Sequence, residues 1–212
     1  MLLSRSTICS ILLPWYLLFS RALGIPPGRE IIGFRTVAED EANYINQNHR
    51  PFRDEEFDVA ARMFSQLGEG YSLINEPAGW PAEEDEWYCV VEADSAKMDA
   101  VTKVWIPESY EEVTWNPEVK EKKDLWAGTE EAISEYLESM VDNPRKALRF
   151  SYVQEDPDKL LMVIPSETIN DNELDLEAQC WETESSLKEY AGERVEWTNW
   201  NILEDPREKS LV

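Results

Sequence analysis

The pattern of apolar and polar residues near the start of the chain predicts a strand followed at once by a helix. The apolar run at 31–34 is typical of a buried strand. Thr36 and Glu39 then form a capping-box pattern, in which each side chain satisfies a free backbone N–H, and apolar residues follow at helical spacing. Arg35 is therefore expected at the junction, as the last residue of the strand.

Helical spacing and turn residues organise the next part of the chain. The segment DEEFDVAARMFSQLG, residues 54–68, predicts a second helix that ends at Gly68. Pro, Gly and acidic residues between Glu69 and Trp87 predict a loop. Runs rich in β-branched and aromatic residues predict five strands beyond it, at 86–93, 101–107, 146–153, 159–165 and 174–181.

The polar stretches around these strands carry weaker patterns. Residues 108–128 are polar with scattered Trp, and we expect an irregular excursion there. Thr129 is expected to cap a helix that carries an apolar stripe. After residue 181, a short helical signal near 186–191 precedes a tail that we expect to be frayed. Together these elements predict an α+β domain.

The first residues have the features of a secretory signal peptide. Arg5 precedes an apolar run that ends at Phe19, and small residues before position 25 provide a cleavage site. We therefore expect a secreted, extracellular protein. Its expected regions are a signal peptide at 1–24, a domain at 25–183 and a polar C-terminal extension at 184–212.

Charge and cysteine content narrow the range of partners. The chain has 44 acidic and 20 basic residues, a formal net charge of −24. Such a surface repels nucleic acid and anionic lipid, so we expect neither partner, and we expect a monomer. Cys89 and Cys180 remain after signal cleavage, and the secretory route favours a disulfide between them. With no Cys/His cluster and His49 as the single histidine, no metal site is expected.

Three segments follow one another along the chain: GFRTVAEDEA (33–42), QLGEGYSL (66–73) and a late VIP strand (163–165). Their arrangement resembles the ADP-ribosyltransferase fold of secreted fungal toxin-like proteins, and the resemblance covers roughly residues 30–181. It implies an α+β fold whose strands pack as a split β-sandwich with helices on the flanks. It also implies NAD as cofactor, with Arg35 reaching its phosphates and ribose, a role suited to a planar guanidinium.

The resemblance implies a set of cofactor-binding residues in the first two segments. In the family, glycines bring the backbone close to the nicotinamide and an aromatic ring stacks on it. Here that aromatic position is Ser72, and Tyr71 precedes it. The implied set is Arg35, Thr36, Gln66, Gly68, Gly70, Tyr71 and Ser72.

The third segment departs from the family at the position that carries the chemistry. Family members have a glutamate there, which stabilises the oxocarbenium-like cation formed as nicotinamide departs. Leu161 occupies that position here, and Lys159 occupies the position of a companion glutamate. A leucine offers no charge to the cation, so the catalytic residue is unknown and whether the protein is an enzyme is open.

Three functions are compatible with these observations. The first is a secreted, effector-like protein that keeps the scaffold and binds a host protein or a nucleotide without catalysis. The second is an active ADP-ribosyltransferase or NAD glycohydrolase that uses another acid, and Glu92 could enter from a neighbouring strand. The third is an acidic extracellular interaction protein unrelated to NAD, in which Arg35 forms an ion pair with Asp40 or Glu41.

Overall fold

The computed structural model describes residues 25–53, 65–113, 120–126, 129–154 and 156–207. The predicted signal peptide and most of the helix predicted at 54–68 lie outside the described residues. The described part is a mixed α+β structure, which confirms the predicted class. Its strands are β1 Arg29–Ala38, β2 Tyr71–Ile74, β3 Glu86–Asp94, β4 Lys103–Trp105, β5 Ser109–Val113, β6 Lys120–Asp124, β7 Leu148–Val153, β8 Asp156–Ile164 and β9 Glu177–Trp181.

Seven strands form one mixed sheet in the order β4-β7-β8-β2-β1-β3-β9, and β5 and β6 form a separate hairpin. Neighbours in the large sheet are antiparallel except for β4 and β7. The five strands predicted after residue 85 are confirmed as β3, β4, β7, β8 and β9. In the described residues these seven strands pair into one continuous sheet.

Three strands lie where the local pattern predicts none. β2 falls within the predicted loop, and β5 and β6 fall within the predicted excursion. β2 has only four residues, and it is a strand because β1 and β8 pair with it on either side. Such pairing depends on distant parts of the chain, which a local pattern does not report.

The described helices are short and lie between the strands. Thr129 caps the third of them, because its Oγ1 accepts a hydrogen bond from the N–H of Ala132 at 3.3 Å, which confirms the predicted cap. The helical signal near 186–191 is also confirmed. The helices are α1 Glu39–Asn48, α2 Ser95–Ala100, α3 Glu130–Glu138, α4 Ser166–Asn170 and α5 Glu184–Tyr190, with a 3₁₀ turn at Trp197–Asn199.

The start of α1 differs from the prediction. β1 continues for three residues beyond Arg35, because it stays paired with β3 to its end. The helix begins at Glu39 and has no side-chain cap. The hydroxyl of Thr36 instead donates to the carbonyl oxygen of Trp80 at 2.8 Å. The capping box and the strand-terminal position of Arg35 are therefore wrong, since strand pairing keeps Thr36 in the sheet.

Both faces of the large sheet are covered. We call the face that packs against α1 the front face and the face that packs against α3 and α5 the back face. Side chains alternate between the two along each strand. Buried front-face residues include Tyr71, Leu73, Cys89, Met162 and Ile164, with Ala42 and Ile45 of α1. Buried back-face residues include Phe34, Ile74, Val90, Leu161 and Val163, with Ile133, Leu137 and Leu187 of the helices.

The predicted disulfide is present. Cys89 of β3 and Cys180 of β9 are direct cross-strand neighbours, and their bond joins positions 91 residues apart. Asn46 of α1 donates to the carbonyl oxygen of Cys180 at 3.1 Å and accepts from its N–H at 2.8 Å. The disulfide and this side chain together hold β9, at the edge of the sheet, against β3 and α1.

The segment after α5 packs into the domain. Trp197 is fully buried in the front-face core, and its Nε1 donates to the carbonyl oxygen of Ile32 at 2.9 Å. Further along, Leu203 forms a bridge with Val104 of β4. The expected frayed tail is therefore wrong as far as Arg207, because this segment supplies a large aromatic side chain to the core.

Candidate functional site

Arg35 lies within β1 and points to the front face, opposite Cys89 of β3. It is partly buried. Its Nη1 donates to the carbonyl oxygen of Ser72 at 3.0 Å, and its guanidinium carbon lies 4.7 Å from the centre of the Tyr71 ring. Arg35 forms no ion pair with any described residue, and Glu41 pairs elsewhere, so the ion-pair interpretation of Arg35 is wrong.

A second arginine lies on the same ring. The guanidinium carbon of Arg53 is 4.6 Å from the ring centre of Tyr71, and its Nη1 is 3.2 Å from Oε1 of Glu41. Both arginines are within the distance at which a cation is attracted to an aromatic face. We call Arg35, Glu41, Arg53 and Tyr71 the Tyr71 cluster. It joins β1, α1, the chain after α1 and β2 on the front face.

The polar atoms at the centre of the cluster are incompletely satisfied. Tyr71 is fully buried, and neither its hydroxyl nor Nε of Arg35 has a hydrogen-bond partner within the described parts of the chain. Burial, together with the charge of Glu41, raises the pKa of Tyr71, while the two arginines act in the opposite direction. The phenol therefore stays protonated at neutral pH and is available as a donor.

The side chain of the predicted residue Gln66 links two segments of the protein by hydrogen bonds. Its Nε2 donates to Oγ of Ser151 at 2.9 Å and to the carbonyl oxygen of Tyr152 at 2.7 Å, and its Oε1 accepts from the N–H of Gln154 at 2.8 Å. These bonds attach the chain before β2 to the end of β7. The side chain is therefore occupied by contacts within the protein.

The two glycines of the same segment are required by close packing. Gly68 has a φ of +82°, and a Cβ there would lie 2.3 Å from Oε2 of Glu130 and 2.5 Å from Nη1 of Arg149. Gly70 has a φ of +149°, and a Cβ there would lie 2.3 Å from the carbonyl oxygen of Ile164. Both positions demand glycine for internal packing, whether or not a nucleotide also approaches.

Ser72 and Thr36 point away from Arg35. Ser72 pairs with Val163 of β8, so its side chain faces the back of the sheet, and only its carbonyl oxygen contacts Arg35. Thr36 is bonded to the carbonyl oxygen of Trp80. Of the predicted cofactor set, the structure brings Arg35 and Tyr71 together on the front face and places the side chain of Ser72 on the other face.

Leu161 is also on the back face. It pairs with Ile74 of β2 and Ser151 of β7, and it is 5% exposed in the core beneath α3. The position that corresponds to the family's catalytic glutamate therefore faces away from Arg35. An acid placed at residue 161 would enter an apolar core and would not reach the Tyr71 cluster.

Glu92, the acid considered as a replacement for the catalytic glutamate, forms its contacts outside the Tyr71 cluster. It follows Val90 on the back-face side of β3 and is 5% exposed. It accepts a hydrogen bond from the hydroxyl of Tyr190 at 2.5 Å and lies 3.8 Å from Nε of Arg29. Glu92 and Tyr190 line a cavity of about 100 Å³ whose lining contains no residue of the Tyr71 cluster.

Sequence reasoning missed Arg53 of the Tyr71 cluster and named Glu41 only as an ion-pair partner of Arg35. Arg53 is 3% exposed, yet it lies in a polar stretch where a surface position is the ordinary expectation. The only local signal is the apolar Pro51 and Phe52 directly before it. Glu41 lies in the acidic first turn of α1, and acidic residues there indicate only a favourable interaction with the helix dipole.

Other features of the described residues add little chemistry. A groove of about 580 Å³ runs along α3 and is lined mainly by glutamates, among them Glu69, Glu130, Glu135 and Glu167. Within the described ranges, no group of three or more His, Cys, Asp or Glu residues could hold a metal ion. No helix in this part of the chain is long and apolar enough to cross a membrane.

Fold and site together define an α+β protein with one large mixed sheet, a disulfide at its edge and a buried tyrosine beneath two arginines on its front face. The chain belongs to the family of unknown function DUF5910, whose sequence profile matches residues 65–205. No curated protein and no solved structure matches it. The matched range includes β2 through the C-terminal segment, so the segment that packs after α5 is part of the family's domain.

Proposed function

We propose that the protein is a secreted, ADP-ribosyltransferase-like protein that binds a nucleotide or a host protein through Arg35 and does not transfer ADP-ribose. The signal-peptide pattern and the disulfide support secretion. The observation that carries the proposal is the opposite orientation of two residues: Arg35 faces the front of the sheet, whereas Leu161 is buried on the back.

The physical argument concerns the transition state. Loss of nicotinamide from NAD leaves positive charge on the ribose, and a nearby carboxylate is the group that stabilises it. Removing a single preorganised hydrogen-bond donor from an active site costs roughly 2.7–4 kcal/mol, and a full charge should count for at least as much. Binding needs no such group, because a guanidinium and backbone donors suffice to hold an anion.

A two-part assay tests this proposal on the purified, oxidised protein. Nicotinamide release from NAD should stay at the rate of the buffer alone, while calorimetry should detect NAD binding. Arg35→Ala should weaken that binding. The matched control is Arg194→Ala, which removes an exposed arginine paired with Glu76 on the surface. Nicotinamide release that disappears in Arg35→Ala would show that the protein is an enzyme and refute the proposal.

One observation favours the second candidate, an active transferase or glycohydrolase. Glu41 places a carboxylate beside the Tyr71 ring, 3.2 Å from Arg53. It supplies the carboxylate of the Tyr71 cluster, although its charge is already paired with the guanidinium of Arg53. If the protein turns over NAD, Glu41→Gln should abolish the reaction while Glu92→Gln leaves it in place.

A further inference from the structure

The cavity of about 100 Å³ lies where strands β3 and β9 meet the end of α5. Its walls include the buried residues Val90, Glu92 and Ala178, and exposed residues, among them His49 and Glu177, also line it. The cavity is therefore open to solvent while part of its lining belongs to the sheet. Pockets for drug-sized ligands have volumes of roughly 300–1,000 Å³, so this cavity admits only a small chemical group.

Glu92 presents a buried carboxylate with one unsatisfied oxygen to the cavity. Its side chain is 6% exposed, and its Oε1 accepts a hydrogen bond from the Tyr190 hydroxyl at 2.5 Å. Oε2 accepts no hydrogen bond from any described residue. Nε of Arg29 lies 3.8 Å from it and is itself without a hydrogen-bond partner in the described ranges. Buried carboxylates normally have their hydrogen bonds satisfied, so Oε2 calls for a donor that the described chain does not supply.

The charges around the cavity favour a positively charged donor. The carboxylates of Glu92, Asp175 and Glu177 all lie 3.3–3.8 Å from nitrogen atoms of the Arg29 guanidinium. No other basic side chain in the described part of the chain pairs with these three acids, so two negative charges remain unbalanced. An anion would be repelled from this position, whereas a cation would compensate the buried charge of Glu92.

The position of the free oxygen selects the type of cation. A guanidinium group pairs best with both oxygens of one carboxylate, and the Tyr190 hydroxyl already occupies Oε1 of Glu92. An ammonium group is a compact charge with three donors, each of which needs a single acceptor. Glu92, Glu177 and Gln179 offer such acceptor oxygens in the lining. A metal ion fits less well, because no group of three suitable ligands occurs among the described residues.

From these observations we propose that the cavity binds a primary ammonium group, carried by a lysine side chain of a partner protein or by a free alkylamine. Oε2 of Glu92 accepts a hydrogen bond from the ammonium group, and Glu177 adds negative charge on the exposed side of the cavity. Val90 and Ala178 contact the alkyl chain. The lining contains no residue of the Tyr71 cluster, so this site does not depend on binding through Arg35.

The single histidine of the chain provides the assay. His49 lines the cavity, so its ring signals in NMR spectra of the untagged, oxidised protein report occupancy at a fixed pH. Butylammonium should shift these signals with saturation at physiological salt, where exposed charges are screened. Butanol, which lacks the charge, should not shift them, and butylguanidinium should bind more weakly. No saturable shift, an equal shift with butanol or tighter binding of butylguanidinium would overturn the proposal.

A second probe separates the two sources of the ammonium group. Nα-acetyl-lysine amide carries the side chain as a partner protein would present it. If it competes with butylammonium, a lysine of a partner protein fits the site. If only butylammonium binds, the backbone of a protein is excluded and the ligand is a free amine. Either result supports recognition of an ammonium group.

Three variants connect binding to the cavity. Glu92→Gln should weaken butylammonium binding by about tenfold or more, the loss expected for one hydrogen bond to a charged group. Glu177→Lys places a tethered ammonium group at an exposed position of the lining and should abolish binding. The matched control is Glu182→Lys, which makes the same change of charge at an exposed glutamate outside the lining.

The comparison of the two lysine variants decides the outcome, even if Glu92→Gln fails to fold. Glu182→Lys should bind butylammonium within about twofold of the wild type, because exposed charges contribute little. Equal losses in Glu177→Lys and Glu182→Lys would assign the binding to the overall negative charge and overturn the proposal. Retained binding in Glu177→Lys would overturn it as well.

Discussion

Breaking the buried ion pair between Arg149 and Glu130 should cost more stability than most single substitutions, and Glu130→Ala tests this. Arg149 is fully buried on β7, where its Nη1 and Nη2 lie 2.7 and 2.6 Å from the two carboxylate oxygens of Glu130. Its Nη1 also donates to the carbonyl oxygen of Leu67 at 2.9 Å. Oε2 of Glu130 accepts the N–H of Glu69 at 2.9 Å. The pair therefore holds the QLGEG segment to α3.

The expected loss in the free energy of unfolding follows from the burial of Arg149. Removing one partner of a buried pair leaves an unpaired charge in the protein interior and destabilises a protein by about 3–5 kcal/mol. With a urea dependence of about 2 kcal/mol per molar for a domain of this size, the unfolding midpoint of Glu130→Ala should fall by about 1.5–2.5 M. Tryptophan fluorescence of the oxidised protein is a suitable signal, because the chain contains nine tryptophans.

Two further variants separate the buried charge from other causes. Glu138→Ala removes an exposed carboxylate from the same helix and should change stability by less than about 0.5 kcal/mol. The double variant Arg149→Met with Glu130→Leu should recover most of the loss, since it leaves no charge in the interior. A loss below about 1 kcal/mol in Glu130→Ala, or a double variant as unstable as the single one, would refute the reasoning.

Three other predictions concern the disulfide, a tyrosine and the C-terminal segment. Replacing Cys89 and Cys180 with alanine should lower the free energy of unfolding by about 4–5 kcal/mol for a closed loop of 91 residues, measured by urea unfolding, and a loss under about 1 kcal/mol would contradict this. Burial, and then the hydrogen bond to Glu92, raise the pKa of Tyr190 to about 12, so its contribution to stability is complete below pH 10 and is lost as the pH rises towards 12. Tyr190→Phe should therefore show a smaller loss of stability than the wild type across that window, and equal losses would contradict the assignment. Trp197→Ala should destabilise by about 3–5 kcal/mol in thermal or urea unfolding, whereas a frayed tail would give almost no change.

Long runs of strand-forming residues predicted their strands correctly. The runs that became β3, β7, β8 and β9 are rich in β-branched and aromatic residues, and their strands follow from local preference. Thr129 capped its helix as expected, because the side chain and the N–H it satisfies are only three residues apart. The sequence did not predict the short strand β2. It has four residues and takes its conformation from the strands on both sides of it.

The end of β1 and the Tyr71 cluster show why local patterns mislead. Thr36 and Glu39 have the spacing of a capping box, but pairing with β3 continues through residue 38 and removes Thr36 from the helix start. Arg35 was identified as a candidate from its own segment. Arg53 was not, and Glu41 was considered only as an ion-pair partner of Arg35, because nothing near these two residues in the chain indicates that they meet at Tyr71.

By itself the sequence determined the α+β class, most long strands, the cysteine pair and the absence of a carboxylate at position 161. Each of these depends on residue identity or on neighbours within one element. Only the tertiary structure decided that Leu161 faces away from Arg35 and that Tyr71 lies beneath two arginines. The reason is that strand register assigns each side chain to a face, and register is set by pairing between segments far apart in the chain.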